Sequence, residues 1–167
     1  MTFPASLQAL DLAGLRLTRT LGHTPALERA VRGYSQLGQY AAGWLALGVA
    51  GAALDRPRRA EWVRAVAGVG VAYVANQTIK FAVRRPRPQL ADLPQLMQTP
   101  TQLSFPSAHA TSSFAAAQAY AGLLPAGPLK AAAFAMAGSR LYLGVHWPSD
   151  IVIGAALGTA IGKGART

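Results

Sequence analysis

The sequence contains no cysteine, and acidic residues are scarce in it. Without cysteine the chain can form no disulfide, thiolate nucleophile or cysteine-bound metal site. Only 6 Asp and Glu residues accompany 16 Lys and Arg residues, so the formal net charge is +10. Charged residues make up 13% of the chain, about half of their share in an ordinary soluble domain. The composition excludes cysteine chemistry and indicates that much of the chain lies outside water.

Long segments of the chain carry no charge at all. Residues 33–54, 65–79 and 93–129 contain no Asp, Glu, Lys or Arg, and 51% of all residues are hydrophobic. A transmembrane helix needs roughly 20 apolar residues. We therefore predict an all-α fold, a polytopic membrane helical bundle with about five transmembrane helices. The predicted spans are residues 35–54, 62–83, 107–124, 129–145 and 147–162.

The N-terminal segment differs from these spans because residues 3–21 include Asp11, Arg16 and Arg19. Apolar residues still recur there at helical spacing, which predicts an amphipathic helix at the membrane interface. A helix packed on the protein's own surface fits the pattern equally well. Thr24 and Pro25 predict a second short helix near residues 25–33. We expect one membrane-embedded domain over residues 1–167, with interfacial helices in 1–34, the bundle in 35–164 and no secretory signal peptide.

Three short motifs carry the ionisable groups of the C-terminal half. The first runs from Lys80 to Arg87-Pro88, and the second is the segment 106–109, Pro-Ser-Ala-His. The third joins Ser139-Arg140 to His146 and Asp150. In the predicted topology the motifs end span two, open span three and join spans four and five. All three therefore lie on one membrane face, where such costly groups indicate a functional site.

These residue types suit a reaction at a phosphate ester. Lys80, Arg87 and Arg140 can neutralise phosphoryl oxygens, and Ser107 stands at a predicted helix start that can face an anion. His146 and Asp150 are four residues apart on one helical face, so the carboxylate can orient the imidazole as a nucleophile. His109 then suits the general acid and base. Each motif alone could instead be an interfacial anchor, a helix cap or a structural ion pair.

Together the motifs resemble the signature of the type 2 phosphatidic acid phosphatase superfamily, over roughly residues 35–162. The resemblance implies a helical bundle and metal-independent dephosphorylation through a phosphohistidine, with no cofactor and no metal site. It implies His146 as nucleophile, Asp150 as its partner and His109 as acid and base. The phosphoryl group would be bound by Lys80, Arg87, Ser107, Ala108, Ser139 and Arg140. Ala108 stands where the family usually has glycine, and the usual bundle has six spans, so the first span here is replaced by interfacial helices.

The expected function is hydrolysis of a membrane lipid phosphate. An isoprenoid carrier is preferred, as undecaprenyl or decaprenyl diphosphate or a decaprenyl-phosphoryl sugar phosphate. Phosphatidylglycerophosphate and phosphatidic acid are alternatives, because family does not fix the substrate. Two alternatives from other classes are a non-catalytic protein that binds or moves lipids and an enzyme similar to vanadium haloperoxidases.

The expected partners are the lipid substrate and the bilayer, and the oligomeric state is not readable from the sequence. Lys and Arg mark the ends of apolar segments instead of forming one polar surface with aromatic residues, so we expect no nucleic acid. The predicted active face carries seven arginines, three of them at positions 84, 85 and 87, against seven cations opposite. If those three serve the substrate, the balance is four against seven. The positive-inside rule then predicts a plasma or inner membrane protein with an extracytoplasmic active site.

Overall fold

The computed structural model describes residues 3–166, and these residues form seven α-helices and no β-strand. Two single 3-10 turns, Gln39–Ala41 and Arg56–Arg58, precede the third and fourth helices. The predicted domain bounds also include residues 1, 2 and 167, which lie outside the described residues. The helices are α1 Ala5–Thr20, α2 Pro25–Leu37, α3 Ala42–Leu54, α4 Arg59–Val83, α5 Ala108–Ala119, α6 Ala126–Tyr142 and α7 Pro148–Gly164.

Helix α5 lies at the centre and packs against α4, α6 and α7. Its closest neighbour is α7, where Gly154, Gly158 and Gly162 present a strip without side chains. A Cβ atom at Gly158 would overlap the backbone carbonyl of Thr111, so only glycine allows this approach. The backbone N–H of Ser107 donates to the carbonyl of Asp150 over 3.0 Å. This contact sets the second motif beside the third.

The segment between α2 and α3 corrects one prediction. A continuous span over residues 35–54 is wrong, because the helix ends at Leu37 and the two helical pieces differ in direction by 51°. Tyr40 and Ala41 adopt left-handed backbone conformations, with φ of 54° and 59°. Gly38 packs at this break, where an added Cβ would lie 2.6 Å from Cδ2 of His109. The second helix therefore also extends past residue 33.

Within residues 3–166, fewer helices are long and apolar enough to cross a membrane than the five that the sequence predicts. Among the described residues, the helical segment 56–83 is long and apolar enough to cross a membrane by itself. The helical segments 25–37 and 39–54 are bent relative to each other. They supply a second candidate span if the two segments are counted as one. Helix α5 ends at Ala119 instead of residue 124, because a turn containing Gly122 (φ 97°) follows. The count of five spans stays a prediction.

Helix α1 packs on α6 and α7 through an unusual stripe. Asp11, Leu15 and Arg19 are its buried residues. Arg19 donates to the carbonyls of Tyr142 and Pro94 over 3.2 and 2.8 Å. The leucines at positions 10, 17 and 21 point away and are at least 60% exposed. The helix therefore packs on the protein's own surface through Asp11, Leu15 and Arg19 and leaves an apolar side exposed. A position at the membrane interface stays a prediction.

Candidate active site

A small cavity of about 80 Å³ lies where α4, α5 and α6 meet the loops that follow α4 and α6. Six of the nine predicted site residues line it: Lys80, Arg87, Ala108, His109, Arg140 and His146. The other lining residues are Gln39, Tyr40, Tyr73, Gln77, Pro100 and Thr101. The loop after α4 folds back on itself, with Arg87 N donating to Gln102 O over 3.1 Å and Ser104 N to Arg85 O over 2.8 Å. This fold-back brings the first motif to the second.

Backbone carbonyls hold two of the three cations. Lys80 Nζ donates to the carbonyls of Ser104 and Pro106 over 3.2 and 2.7 Å. Arg87 donates to the carbonyls of Thr101 and Val145 over 2.8 and 2.6 Å. These carbonyls carry no net charge, so they orient the cations without neutralising them. The cavity therefore keeps a positive field that suits a phosphoryl group.

The third cation, Arg140, reaches the cavity from α6 and is 2% exposed. Its Nη1 donates to Oγ of Ser35 and lies 3.2 Å from Sδ of Met97. Its Nε is buried without a hydrogen-bond partner among the described residues. A thioether is a weak acceptor. Arg140 therefore keeps unused donor capacity for a bound anion.

His146 is fixed from both ring nitrogens. Its Nε2 lies 3.0 Å from Nη1 of Arg87, and its Nδ1 lies 3.4 Å from Oδ2 of Asp150. A guanidinium group only donates hydrogen bonds, so the hydrogen-bond network assigns the lone pair to Nε2 and the proton to Nδ1. The backbone N–H of Trp147 also donates to Oδ2 of Asp150 over 2.9 Å. This is the tautomer that an imidazole nucleophile requires.

The electrostatic surroundings keep His146 neutral. Burial, followed by the positive charges of Arg87, Arg140 and Lys80, lowers the pKa of His146 well below its ordinary value. Burial also lowers the pKa of Arg87 to about 10, against a smaller opposing effect of Asp150. Arg87 therefore remains a cation near neutral pH, while His146 keeps a free lone pair.

His109 occupies the start of α5 and lines the same cavity. Its Nε2 lies 3.0 Å from the backbone carbonyl of Ser35, near the end of α2. Because a carbonyl only accepts, Nε2 carries a proton in this contact. No sequence pattern indicates this partner of His109, since Ser35 is 74 residues away and belongs to the kinked segment. The bend after α2 thus contributes directly to the site.

Three predicted site residues do not line the cavity. Asp150 lies behind His146 and is fully buried. Ser107 caps α5, with its Oγ accepting from Ala110 N over 3.4 Å. Ser139 donates its hydroxyl to the carbonyl of Met136 in its own helix over 2.7 Å. Both hydroxyls thus contact backbone groups next to the cavity, where they support helix ends that carry cavity residues.

The structure adds Arg85 and Asp11 to the site. Arg85 donates to Oδ1 of Asp150 over 2.9 Å and to Oδ2 of Asp11 over 2.6 Å. Ser149 bridges the same pair, because its hydroxyl donates to Asp11 over 2.6 Å and accepts from Arg85 over 2.7 Å. In the sequence, Arg85 is distinguished only as one of the cations on the predicted active face. The sequence does carry one signal for Asp11, which is the one acidic residue in the segment 3–21. If such a carboxylate is buried, it needs a cation as partner.

The fold and the cavity together define the class of protein, a helical phosphatase built to bind an anionic ester. The chain belongs to the PAP2 superfamily, whose family model matches residues 61–166. This confirms the predicted family. It confirms too that the protein is an enzyme that hydrolyses phosphoric esters.

Two relatives are informative. The chain is 45% identical over 139 residues to the decaprenylphosphoryl-5-phosphoribose phosphatase of Mycobacterium tuberculosis (strain ATCC 25618 / H37Rv), covering 83% of this chain and 78% of the relative. It is 42% identical over 146 residues to the protein of that name from Mycolicibacterium smegmatis, covering 86% and 80%.

Two solved structures share the fold. LpxE of Aquifex aeolicus superimposes with a TM-score of 0.77 at 25% identity, covering 92% of this chain and 93% of that one. The transmembrane PAP2-type phosphatidylglycerolphosphate phosphatase of Bacillus subtilis gives a TM-score of 0.81 at 22% identity, covering 98% and 86%. These similarities show that the chain has the same all-helical fold as the two solved proteins.

Proposed function

We propose that the protein removes the terminal phosphate from an isoprenoid-linked sugar phosphate, through a phosphohistidine at His146. The observation that carries the chemistry is the position of His146 between Asp150 and Arg87, at 3.4 and 3.0 Å. Both mycobacterial relatives, at 42% and 45% identity, have names that specify a decaprenylphosphoryl phosphoribose. The phosphatidylglycerolphosphate phosphatase, at 22% identity, supports only the fold. The isoprenoid-linked sugar phosphate is therefore the leading substrate class.

The first chemical step transfers the phosphoryl group to the enzyme. Nε2 of His146 attacks phosphorus, and the bond between phosphorus and the sugar oxygen breaks. His109, protonated at both ring nitrogens once the anionic substrate is bound, donates its Nδ1 proton to that oxygen and keeps its Nε2 proton on the Ser35 carbonyl. Asp150 stabilises the positive charge that develops on the imidazole. The phosphoryl oxygens are bound by Lys80, Arg87 and Arg140 and by the backbone N–H of Ala108, while Ser107 and Ser139 support this site.

The second step returns the enzyme to its starting state. His109, now neutral, takes a proton from a water molecule, and the resulting hydroxide attacks phosphorus. The bond between phosphorus and Nε2 of His146 breaks, and inorganic phosphate leaves. His109 then holds the proton that the next leaving group requires. Each histidine therefore acts in both steps.

The charge stabilisation comes from the chain itself in this mechanism. Lys80, Arg87 and Arg140 lie around one cavity and supply the positive charge that a metal ion supplies in other phosphatases. The described residues include no group of three or more His, Asp and Glu side chains that could hold a metal. The donor set therefore favours a metal-independent reaction.

We propose an extracytoplasmic active site, and the distribution of exposed cations supports it. Arg85 and Arg87 are 6% and 7% exposed and hydrogen-bonded within the site, so they do not act as surface anchors. Arg84 is exposed and donates to the carbonyl of Phe81 in α4, so it still counts among the surface cations of this end. At the end of the bundle opposite the cavity, Arg58 donates to the carbonyl of Gly122. This hydrogen bond connects the turn after α3 with the turn after α5. That end carries seven cations, Arg56, Arg58, Arg59, Arg64, Lys130, Lys163 and Arg166.

Since the chain lacks cysteine, Gln89→Cys and Arg59→Cys each give one thiol, and a membrane-impermeant maleimide should label Gln89→Cys alone in intact cells.

The decisive experiment is a substrate panel on purified protein. It compares an isoprenoid phosphoryl-ribose 5-phosphate, isoprenoid mono- and diphosphates, phosphatidylglycerophosphate and phosphatidic acid, with His146→Ala as control. We expect the highest kcat/KM for the sugar-linked lipid. Turnover of none of these lipids, or turnover that survives His146→Ala, would contradict the proposal.

A further inference from the structure

A second, larger cavity of about 740 Å³ lies beside the catalytic cavity, between α2 and the loop that follows α4. It is open to the surface, and six of its eight lining residues are polar. We name it the glutamine pocket; it is lined by Arg32, Gln36, Gln95, Leu96, Met97, Gln98, Thr99 and Gln102. Four carboxamides around one cavity are unusual in a chain with so many apolar residues.

The carboxamides are available for a ligand. The side chains of Gln36, Gln98 and Gln102 make no hydrogen bond to any residue within 3–166. Gln95 donates to the carbonyl of Pro88 over 2.7 Å, which leaves its side-chain oxygen free to accept. A carboxamide offers two donors and an acceptor with two lone pairs. Several of them around one space match the hydroxyl groups of a sugar, which both donate and accept.

Arg32 gives the glutamine pocket a positive charge. Its Nε is buried without a hydrogen-bond partner, and its guanidinium forms no ion pair with a carboxylate in the described part of the chain. The lining of the pocket includes no acidic residue. An unpaired guanidinium next to free carboxamides favours a ligand that combines an anionic group with hydroxyl groups.

The glutamine pocket shares a wall with the catalytic cavity. Met97 lines the pocket, and its Sδ lies 3.2 Å from Nη1 of Arg140, which lines the catalytic cavity. Thr99 lines the pocket and Thr101 lines the catalytic cavity, one on each side of Pro100. A thioether side chain is flexible and a weak acceptor, so a phosphate oxygen can displace it from Arg140. A ligand with its phosphoryl group at Arg140 would therefore extend into the pocket.

We propose that the glutamine pocket binds the sugar and the bridging phosphodiester of a lipid-linked sugar phosphate. The inference rests on the proposed function and names the residues that select the sugar-linked headgroup. The terminal phosphate occupies the catalytic cavity, the carboxamides bind the sugar hydroxyls, and Arg32 binds the phosphodiester between sugar and lipid. An isoprenoid monophosphate has neither sugar nor diester and leaves this pocket empty.

The test compares two substrates with the same isoprenoid chain, the phosphoryl-ribose 5-phosphate and the monophosphate. The double variant Gln98→Met/Gln102→Met keeps side-chain length and removes the carboxamides. We expect its kcat/KM for the sugar-linked lipid, divided by that for the monophosphate, to fall about tenfold, because unmet hydrogen bonds weaken discrimination. Arg32→Gln should lower the same ratio about tenfold through loss of the diester contact. Gln89→Leu, an exposed glutamine on the same loop, is the matched control and should leave the ratio unchanged.

The outcomes separate this inference from the proposed function. If wild type hydrolyses the sugar-linked lipid and the variants keep its ratio, the glutamine pocket is overturned and the proposed function stands. If the variants lose both substrates equally, with unchanged thermal unfolding, the pocket supports the catalytic centre and the inference fails. If wild type hydrolyses the monophosphate alone, the proposed substrate class fails, and the pocket fails with it.

Discussion

The two histidines of the cavity are held in different ways. His146 lies between charged side chains, with Asp150 at Nδ1, Arg87 at Nε2 and Arg85 behind Asp150. His109 contacts a single backbone carbonyl, that of Ser35. A carboxylate fixes the tautomer and stabilises a positive imidazole, whereas a carbonyl orients the ring and adds no charge. The difference favours the covalent role proposed for His146 and the proton transfer proposed for His109.

The largest expected effect comes from His146→Ala. Loss of the nucleophile should reduce phosphate release by about 10⁴-fold or more and abolish the covalent phosphoenzyme, since the proposed mechanism forms that bond at Nε2 of His146. Phosphate release and acid-quench trapping of radiolabelled enzyme measure both effects. His23→Ala is the matched control, because His23 pairs with Glu28 and stacks on Tyr142 away from the cavity. A His146→Ala enzyme that still forms the phosphoenzyme would exclude this residue as nucleophile.

His109→Ala should be damaging in a way that depends on the leaving group. With an alkyl phosphate we expect a loss of about 10²–10⁴-fold, the usual contribution of general acid catalysis. An aryl phosphate leaves without an acid, so phosphorylation should persist while hydrolysis of the phosphoenzyme becomes slow. Stopped-flow measurement should then show a burst of one phenolate per enzyme. Equal losses on both esters without a burst would mean that the two histidines do not divide the work.

A smaller effect is expected from Asp11→Asn, which changes the charge behind His146. Without this carboxylate, Arg85 neutralises Asp150 more fully, and the positive imidazole is less stabilised. We expect kcat to fall about tenfold, equivalent to ~1.4 kcal/mol. Asp92→Asn is the matched control, because Asp92 forms an exposed pair with Arg16. If both substitutions change kcat equally, Asp11 acts on the reaction no more than an exposed surface charge does.

The pH dependence tests the same contact. The pKa of His146 is lowered by burial and by Arg87, so His146 is neutral near pH 7, and kcat/KM should fall only as the pH drops through that lowered value. Asp11→Asn should lower the pKa further and move this acidic limb to lower pH. The charged and titratable groups that face His146 are Lys80, Arg87, His109, Arg140 and Asp150, with Arg85 and Asp11 behind them. If the acidic limb of the kcat/KM profile stays at the same pH in Asp11→Asn, Asp11 acts only through folding.

The smallest expected effect is that of chelation. If the two histidines work with cations of the chain alone, activity in excess chelator should equal that without it. Assays of the purified enzyme with chelator, and with added divalent ions afterwards, measure this directly. Loss of turnover that a divalent ion restores would contradict the division of roles between histidines and cations.

Much of the site could be predicted from spacing. His146 and Asp150 are one helical turn apart, and Lys80, Arg87 and Arg140 belong to motifs whose order is distinctive. The helices of the C-terminal half were also predictable, because apolar runs of this length form little else. The first predicted span was not, because it breaks at Tyr40 and Ala41, next to the place where Gly38 packs closely on His109 of another helix. No local pattern in residues 35–54 encodes that contact.

By itself, the sequence determined the family and the class of reaction, since charges and imidazoles in a fixed order within apolar segments have few other uses. The tertiary structure decided which distant residues serve those groups. Ser35 reaches His109 over 74 positions, and Asp11 reaches Arg85 over another 74. The strip of glycines on α7 decides how closely the second and third motifs approach. These contacts arise from packing between helices, and sequence spacing reports only neighbours within a few turns of one helix.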